Sequence, residues 1–120
     1  MDIELIFHND FGTGFFWIDS DKINAEQIQL VFRETGLLLD KMQLKQFNTI
    51  IDNALQNFSG CKCCMANKDS RTLLLETPLQ ELSFAVTYHE LVLASELVSG
   101  VLFQLEMNEI LKKENIRKNL

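Results

Sequence analysis

Apolar positions in this chain recur with two different spacings, and the switches between them mark out its elements. Over Ile3–His8 the apolar residues Ile3, Leu5 and Phe7 fall at every second position, which predicts a strand with those three side chains on one face. Asn9-Asp10-Phe11-Gly12-Thr13 is turn chemistry, and Gly14–Asp19 returns as a second strand carrying Phe15, Phe16, Trp17 and Ile18. A polar connection, Asp19-Ser20-Asp21-Lys22, leads to Gln27–Glu34, where Ile28, Leu30 and Phe32 alternate again. Thr35-Gly36 predicts a tight turn, and Leu37-Leu38-Leu39 a short buried strand.

The spacing then lengthens. Asp40 is placed to cap a helix from Lys41 to about Phe58, with Leu44, Phe47, Ile50, Ile51, Ala54, Leu55 and Phe58 in one arc and polar residues on the other side. Ser59-Gly60 stops it, and Cys61 to Ser70 reads as a polar loop. Arg71–Thr77 is a strand closed by Pro78, and Leu82–Val86 alternates cleanly. Thr87 and Glu90 form the capping-box pair at the start of the longest helix, Tyr88–Lys113, with Val86 and Leu91 placed as a hydrophobic staple. Glu114–Leu120 reads as a frayed end.

That last helix has more apolar surface than one core requires. Leu91, Ala94, Val98, Val101, Leu102 and Leu105 share a broad stripe at about 100° per residue. Val92, Phe103 and Ile110 lie nearly opposite, and Leu93, Leu97 and Leu111 fill part of the arc between. The second group calls for cover, from elsewhere in the chain or from another subunit.

The two helix starts match at an offset of 47: Leu39-Asp40-Lys41-Met42-Gln43-Leu44 against Val86-Thr87-Tyr88-His89-Glu90-Leu91. Each helix follows two strands. The expected fold is therefore α+β: a hairpin (1–19), then two strand–strand–helix units (25–58 and 71–113), with the cysteine loop (61–70) between them. It predicts a mainly antiparallel sheet of about five to six strands, with two helices packed on one face. All 120 residues are read as one domain.

Composition narrows the function. Hydrophobic content of 47% and charged content of 23% describe an ordinary globular protein. Net charge −6 argues against nucleic acid and against an anionic membrane surface. The aromatic hairpin lacks a basic residue before Lys22, so a stacking platform for single strands is disfavoured. Met1-Asp2-Ile3-Glu4 is acidic and unlike a signal peptide, which points to a cytoplasmic protein.

Candidate chemistry is sparse. Cys61, Cys63 and Cys64 put three thiols in one loop, an odd count that argues against a disulfide framework. Thiolates suit zinc, with His8 or His89 as the available histidine, and Lys62 would favour a reactive thiolate; the spacing is not that of a paired zinc motif. His89-Glu90-Leu91-Val92-Leu93 begins like a zinc-protease helix, but Leu93 stands where the second histidine belongs. His89 and Glu96, two turns apart, read as a solvated face. Gly12-Thr13-Gly14 lacks the spacing and lysine of a phosphate loop. Glu76 and Glu81 are ordinary surface carboxylates without a cleft, and no Ser-His-Asp arrangement is suggested.

The order of an aromatic hairpin, Ile28-Gln29-Leu30-Val31-Phe32, a capped helix, a strand and a long Leu-rich helix resembles small bacterial proteins of the domain-of-unknown-function kind. That resemblance implies a cysteine pair near the end of the second strand; here Asp19-Ser20-Asp21-Lys22 holds the place. It carries no functional residues over. The favoured reading is a small interaction module without catalysis, homodimeric through Val92, Phe103 and Ile110 with Trp17 of the hairpin. Another protein partner is compatible with the same surface, and no cofactor is required. The alternative is a metal-binding or thiol-redox module on Cys61, Cys63 and Cys64, and an enzyme on a small molecule comes third.

Overall fold

The computed structural model describes residues 2–58, 71 and 73–118, with side chains to 114. Strands β1 (Asp2–His8), β2 (Gly12–Asp19), β3 (Lys22–Ile23), β4 (Gln27–Phe32) and β5 (Thr35–Asp40) precede helix α1 (Lys41–Phe58). Strands β6 (Leu73–Glu76) and β7 (Ser83–Val86) precede helix α2 (Tyr88–Lys118). The fold is α+β: an antiparallel five-stranded sheet ordered β1-β2-β4-β5, with β3 added beside β2. The second strand pair does not extend this sheet and makes its own two-stranded one.

The core forms where strand alternation meets the two helices. Ile28, Leu30 and Phe32 of β4 and Leu37 and Leu39 of β5 are buried on one face, under Leu44, Phe47 and Ile51 of α1 and the stripe from Leu91 to Leu105 of α2. Three aromatics join the small sheet to the large one. Phe11 stacks on Phe32 at 4.9 Å, and Phe84 of β7 meets Phe32 edge-on at 5.0 Å. Phe58 at the end of α1 stacks on Tyr88 at the start of α2, at 4.7 Å.

Both helices begin with the expected reciprocal caps. Gln43 N–H donates to Asp40 Oδ1 at 2.7 Å while Asp40 N–H donates to Gln43 Oε1 at 3.0 Å. Glu90 N–H donates to Thr87 Oγ1, and Thr87 N–H to Glu90 Oε1, both at 3.0 Å. Glu90 does more than cap. Arg71 Nε donates to its Oε1 at 3.1 Å, and Arg33 Nε stands 4.0 Å from Oε2. Arg33 Nη1 also donates to the Ala85 carbonyl at 2.9 Å. One carboxylate thus ties the β4–β5 turn, Arg71 ahead of β6 and the start of α2 together.

Several local expectations are corrected. The β4–β5 turn is Arg33-Glu34, between the paired residues Phe32 and Thr35, and Gly36 sits inside β5. Arg33 takes the left-handed φ of 55° there, and its hydrogen bond to Ala85 and approach to Glu90 hold it in that conformation. Asp19 to Lys22 is itself a two-residue hairpin, with Asp19 paired to Lys22 and positive φ at Ser20 (50°) and Asp21 (65°). Phe7 does not share a face with Ile3 and Leu5. The register shifts between Leu5 and Phe7, so Leu5 pairs with Phe15 while Phe7 pairs with Gly14, whose side of the sheet is the helix side. The helix expected to end at Lys113 continues to Lys118.

The bulge matters because α2 crosses β1 and β2 closely. A Cβ on Gly14 would lie 2.6 Å from Val101 Cγ2, and one on Gly100 would lie 2.6 Å from Phe7 ring atoms. Each partner meets the other's missing side chain. Asn9 secures the crossing: its Nδ2 donates to the Leu93 carbonyl at 2.9 Å, while its Oδ1 accepts from Phe11 N–H and Gly12 N–H.

In an open helix interior, Gly→Ala stabilises by about 1 kcal/mol. Gly100→Ala is expected to do the reverse here and destabilise by about 1–3 kcal/mol through overpacking against Phe7; urea denaturation of the variant checks the sign. A second expectation concerns acid. Burial alone would raise the Glu90 carboxyl, but the Thr87 N–H together with Arg71 and Arg33 outweighs it and holds the group below its ordinary 4.5. A carboxylate lowered on folding stabilises fully above its unfolded value, and that contribution is lost as pH falls through the folded value. Glu90→Gln keeps the cap and removes the charge. Between neutral pH and about pH 3, urea midpoints of the variant should therefore fall less than those of the wild type.

Candidate interaction surface

The two halves of α2 differ in what surrounds them. From Leu91 to Leu105 the helix lies between the sheet and α1, and Leu97, Val98 and Val101 are fully buried. Within that half, Val92 and Leu93 are partly covered by their own chain. From Glu106 to Glu114 every residue is exposed, nine in succession. The molecule measures 58 × 29 × 25 Å.

The overhang is amphipathic in its own right. Phe103 is 57% exposed, Ile110 52% and Leu111 55%, and Met107 is exposed between them. Spacings of i, i+4, i+7 and i+8 put these four along one side of a helix. Phe103, Met107 and Ile110 form a narrow ridge, with Glu106 beside it. This is the geometry of a helix face that packs against another helix or into a groove. Met107 was absent from the surface expected on sequence grounds; its spacing from Phe103 was the available signal.

Beside the overhang, and reaching round to Leu111 at the edge of that apolar side, a groove of about 460 Å³ opens between α2 and the sheet. Its walls are Phe16, Ile23, Ala25, Ile28, Leu105 and Leu111. Lys112 and Asn108 of α2, Glu4 of β1 and the Lys41–Glu109 ion pair form the rim. The Lys41 ammonium, bonded to Glu109, holds that carboxyl below its ordinary range.

A second exposed apolar surface lies on the sheet face away from the helices. Direct pairings place Ile3 beside Trp17, and Leu5, Phe15, Gln29 and Leu38 in one row across four strands. Leu5 is 52% exposed, and Ile3 and Leu38 are exposed too. Phe15 is buried there with Trp17 edge-on to it at 5.1 Å. The indole N–H of Trp17 donates to Gln29 Oε1 at 3.1 Å, and Gln29 Nε2 donates to the Leu30 carbonyl.

The structure therefore does not bring the four expected surface residues together. Phe103 and Ile110 share the ridge; Val92 lies on the same side of α2 but within the half that its own chain partly covers; Trp17 is on the far face of the sheet. Cys61, Cys63 and Cys64 lie outside the described residues. Among the described residues, no three His, Cys, Asp or Glu side chains are grouped to hold a metal ion. His8 and His89 are both exposed, on β1 and in the first turn of α2. No described helix is long and apolar enough to cross a membrane.

No protein-family model, curated protein or solved structure matches the chain.

Among the described residues, Gln29 is the partner of the Trp17 indole N–H. Gln29→Leu removes both this hydrogen bond and the one from Gln29 to the Leu30 carbonyl, each partly buried, and should lower stability by about 1–3 kcal/mol; Trp17 fluorescence during urea unfolding reports it directly.

Proposed function

We propose that this chain is a small protein-interaction module without catalysis, and that it self-associates through the overhang of α2. One observation carries the reading. Nine consecutive exposed helical residues, 106–114, prolong an apolar ridge begun at Phe103. Exposed apolar side chains at helix-packing spacing mark a surface meant to be covered. Val92 belongs to the same side of the helix and would extend the contact toward the body of the protein. The ridge suits another protein's helix as well as a second copy, and the copy is favoured because the chain supplies it in equal amount. A cytoplasmic setting accompanies this reading, since three thiols within four residues and no even framework suit a reducing compartment.

Phe103→Glu places a charge in the centre of the contact. It is expected to weaken the dimer by at least about 100-fold, the cost of burying an unpaired carboxylate, and to leave the circular dichroism of the monomer unchanged, because Phe103 is exposed in the single chain. Light scattering of wild type and variant across a concentration series is the measurement. A wild-type protein that stays monomeric at the highest attainable concentration overturns the reading.

A further inference from the structure

We propose that the groove between α2 and the sheet binds a free α-amino acid with a bulky apolar side chain. The site goes beyond the self-association reading and does not depend on it. Leu111 alone is common to the groove wall and the apolar side of the overhang.

The shape of the groove selects a small ligand. Leu105, Asn108, Glu109 and Lys112 line it from α2, at spacings of i, i+3, i+4 and i+7 along one side of the helix. Glu109 pairs with Lys41 at the start of α1, which ties this wall to the body of the protein. The groove therefore does not open to the width of about 10 Å that another helix needs. Its volume of about 460 Å³ falls instead in the lower part of the range of small-molecule sites. The floor is apolar: Ile28 and Leu105 are buried there and Phe16 is half-buried. Ile23 and Ala25 also line the groove and are exposed, so a side chain resting on them takes apolar surface out of water.

The rim selects the head of that ligand. Lys41 and Glu109 neutralise each other. Glu4 on β1 and Lys112 on α2 are left, one carboxylate and one ammonium on the two walls of the groove. Among the described residues neither has an ion-pair partner, and the two do not pair with each other. A ligand with a single charge is attracted by one of them and repelled by the other. The head of an amino acid carries both signs. Its ammonium donates to the Glu4 carboxylate, and its carboxylate accepts from the Lys112 ammonium and from the side-chain amide of Asn108 on the same wall. Its side chain then lies on Phe16, Ile28 and Leu105.

The test is an amide NMR titration of the full chain with L-phenylalanine and with two analogues that each lack one charge, phenylpropionate and phenethylamine. L-Phenylalanine is expected to give saturable shifts at the amides of Glu4, Ala25, Asn108 and Lys112. Each analogue should bind about threefold to fivefold more weakly, the loss of one exposed ion pair. Glu4→Gln should abolish the discrimination against phenylpropionate, and Lys112→Gln that against phenethylamine; both residues are exposed, so neither change disturbs the core. An analogue that binds as tightly as L-phenylalanine overturns the proposal, as does a discrimination that survives both substitutions. Absence of saturable shifts at those four amides, up to the solubility limit of L-phenylalanine, overturns it too. Self-association is read separately by light scattering, so failure of either reading leaves the other standing.

Discussion

A helix of 31 residues, about 46 Å long, packs against a sheet whose longest strand has eight residues and spans about 27 Å. The sheet cannot cover it. Most other features of the molecule follow from that mismatch. Where α2 does lie on β1 and β2, it lies close, with Gly14 beneath Val101 and Phe7 beneath Gly100. Close packing there buries Leu97, Val98 and Val101 completely and leaves the rest of the helix to run out over solvent.

Which end overhangs is decided by polar joints at the other end. The Thr87–Glu90 cap, with Arg71 and Arg33 on the same carboxylate, fixes the first turn of α2 to the small sheet and to the β4–β5 turn. Asn9 holds the β1–β2 loop to the Leu93 carbonyl one turn further on. Phe58 against Tyr88 adds the end of α1. With its start tied at these places, the helix projects at its C-terminal end, where Glu109 still pairs with Lys41. The groove is the wedge of space left beside that projection. Ridge and groove are thus two consequences of one length difference.

Much of this fold was legible in the residue pattern, because it rests on local rules. Both capping boxes need only residues three apart, and the core stripes need only a helical period. The ridge was half legible: Phe103 and Ile110 stand out by spacing, whereas Trp17, an aromatic of the hairpin, was grouped with them and lies elsewhere. A sequence pattern places a residue on a face of its own element, and it does not say where that face points. Trp17 belongs to the helix-free side of the sheet, and the one-residue register shift after Leu5 sends Phe7 to the opposite side from Ile3 and Leu5.

The sequence by itself determined the elements, the helix starts and the surplus of apolar positions on α2, since each depends on short-range spacing and backbone capping. Tertiary structure alone decided which part of that surplus stays uncovered. Val92 and Leu97 face the same question as Phe103 and Ile110 when read along the chain. The first pair is half or wholly covered and the second is not: Phe103 lies on the outer side of α2 between the buried Leu102 and Leu105, and Ile110 lies where every residue of the helix is exposed. The position of the turn at Arg33, the separation of the second strand pair and the groove were likewise set by contacts between residues far apart in the chain, which no local period encodes.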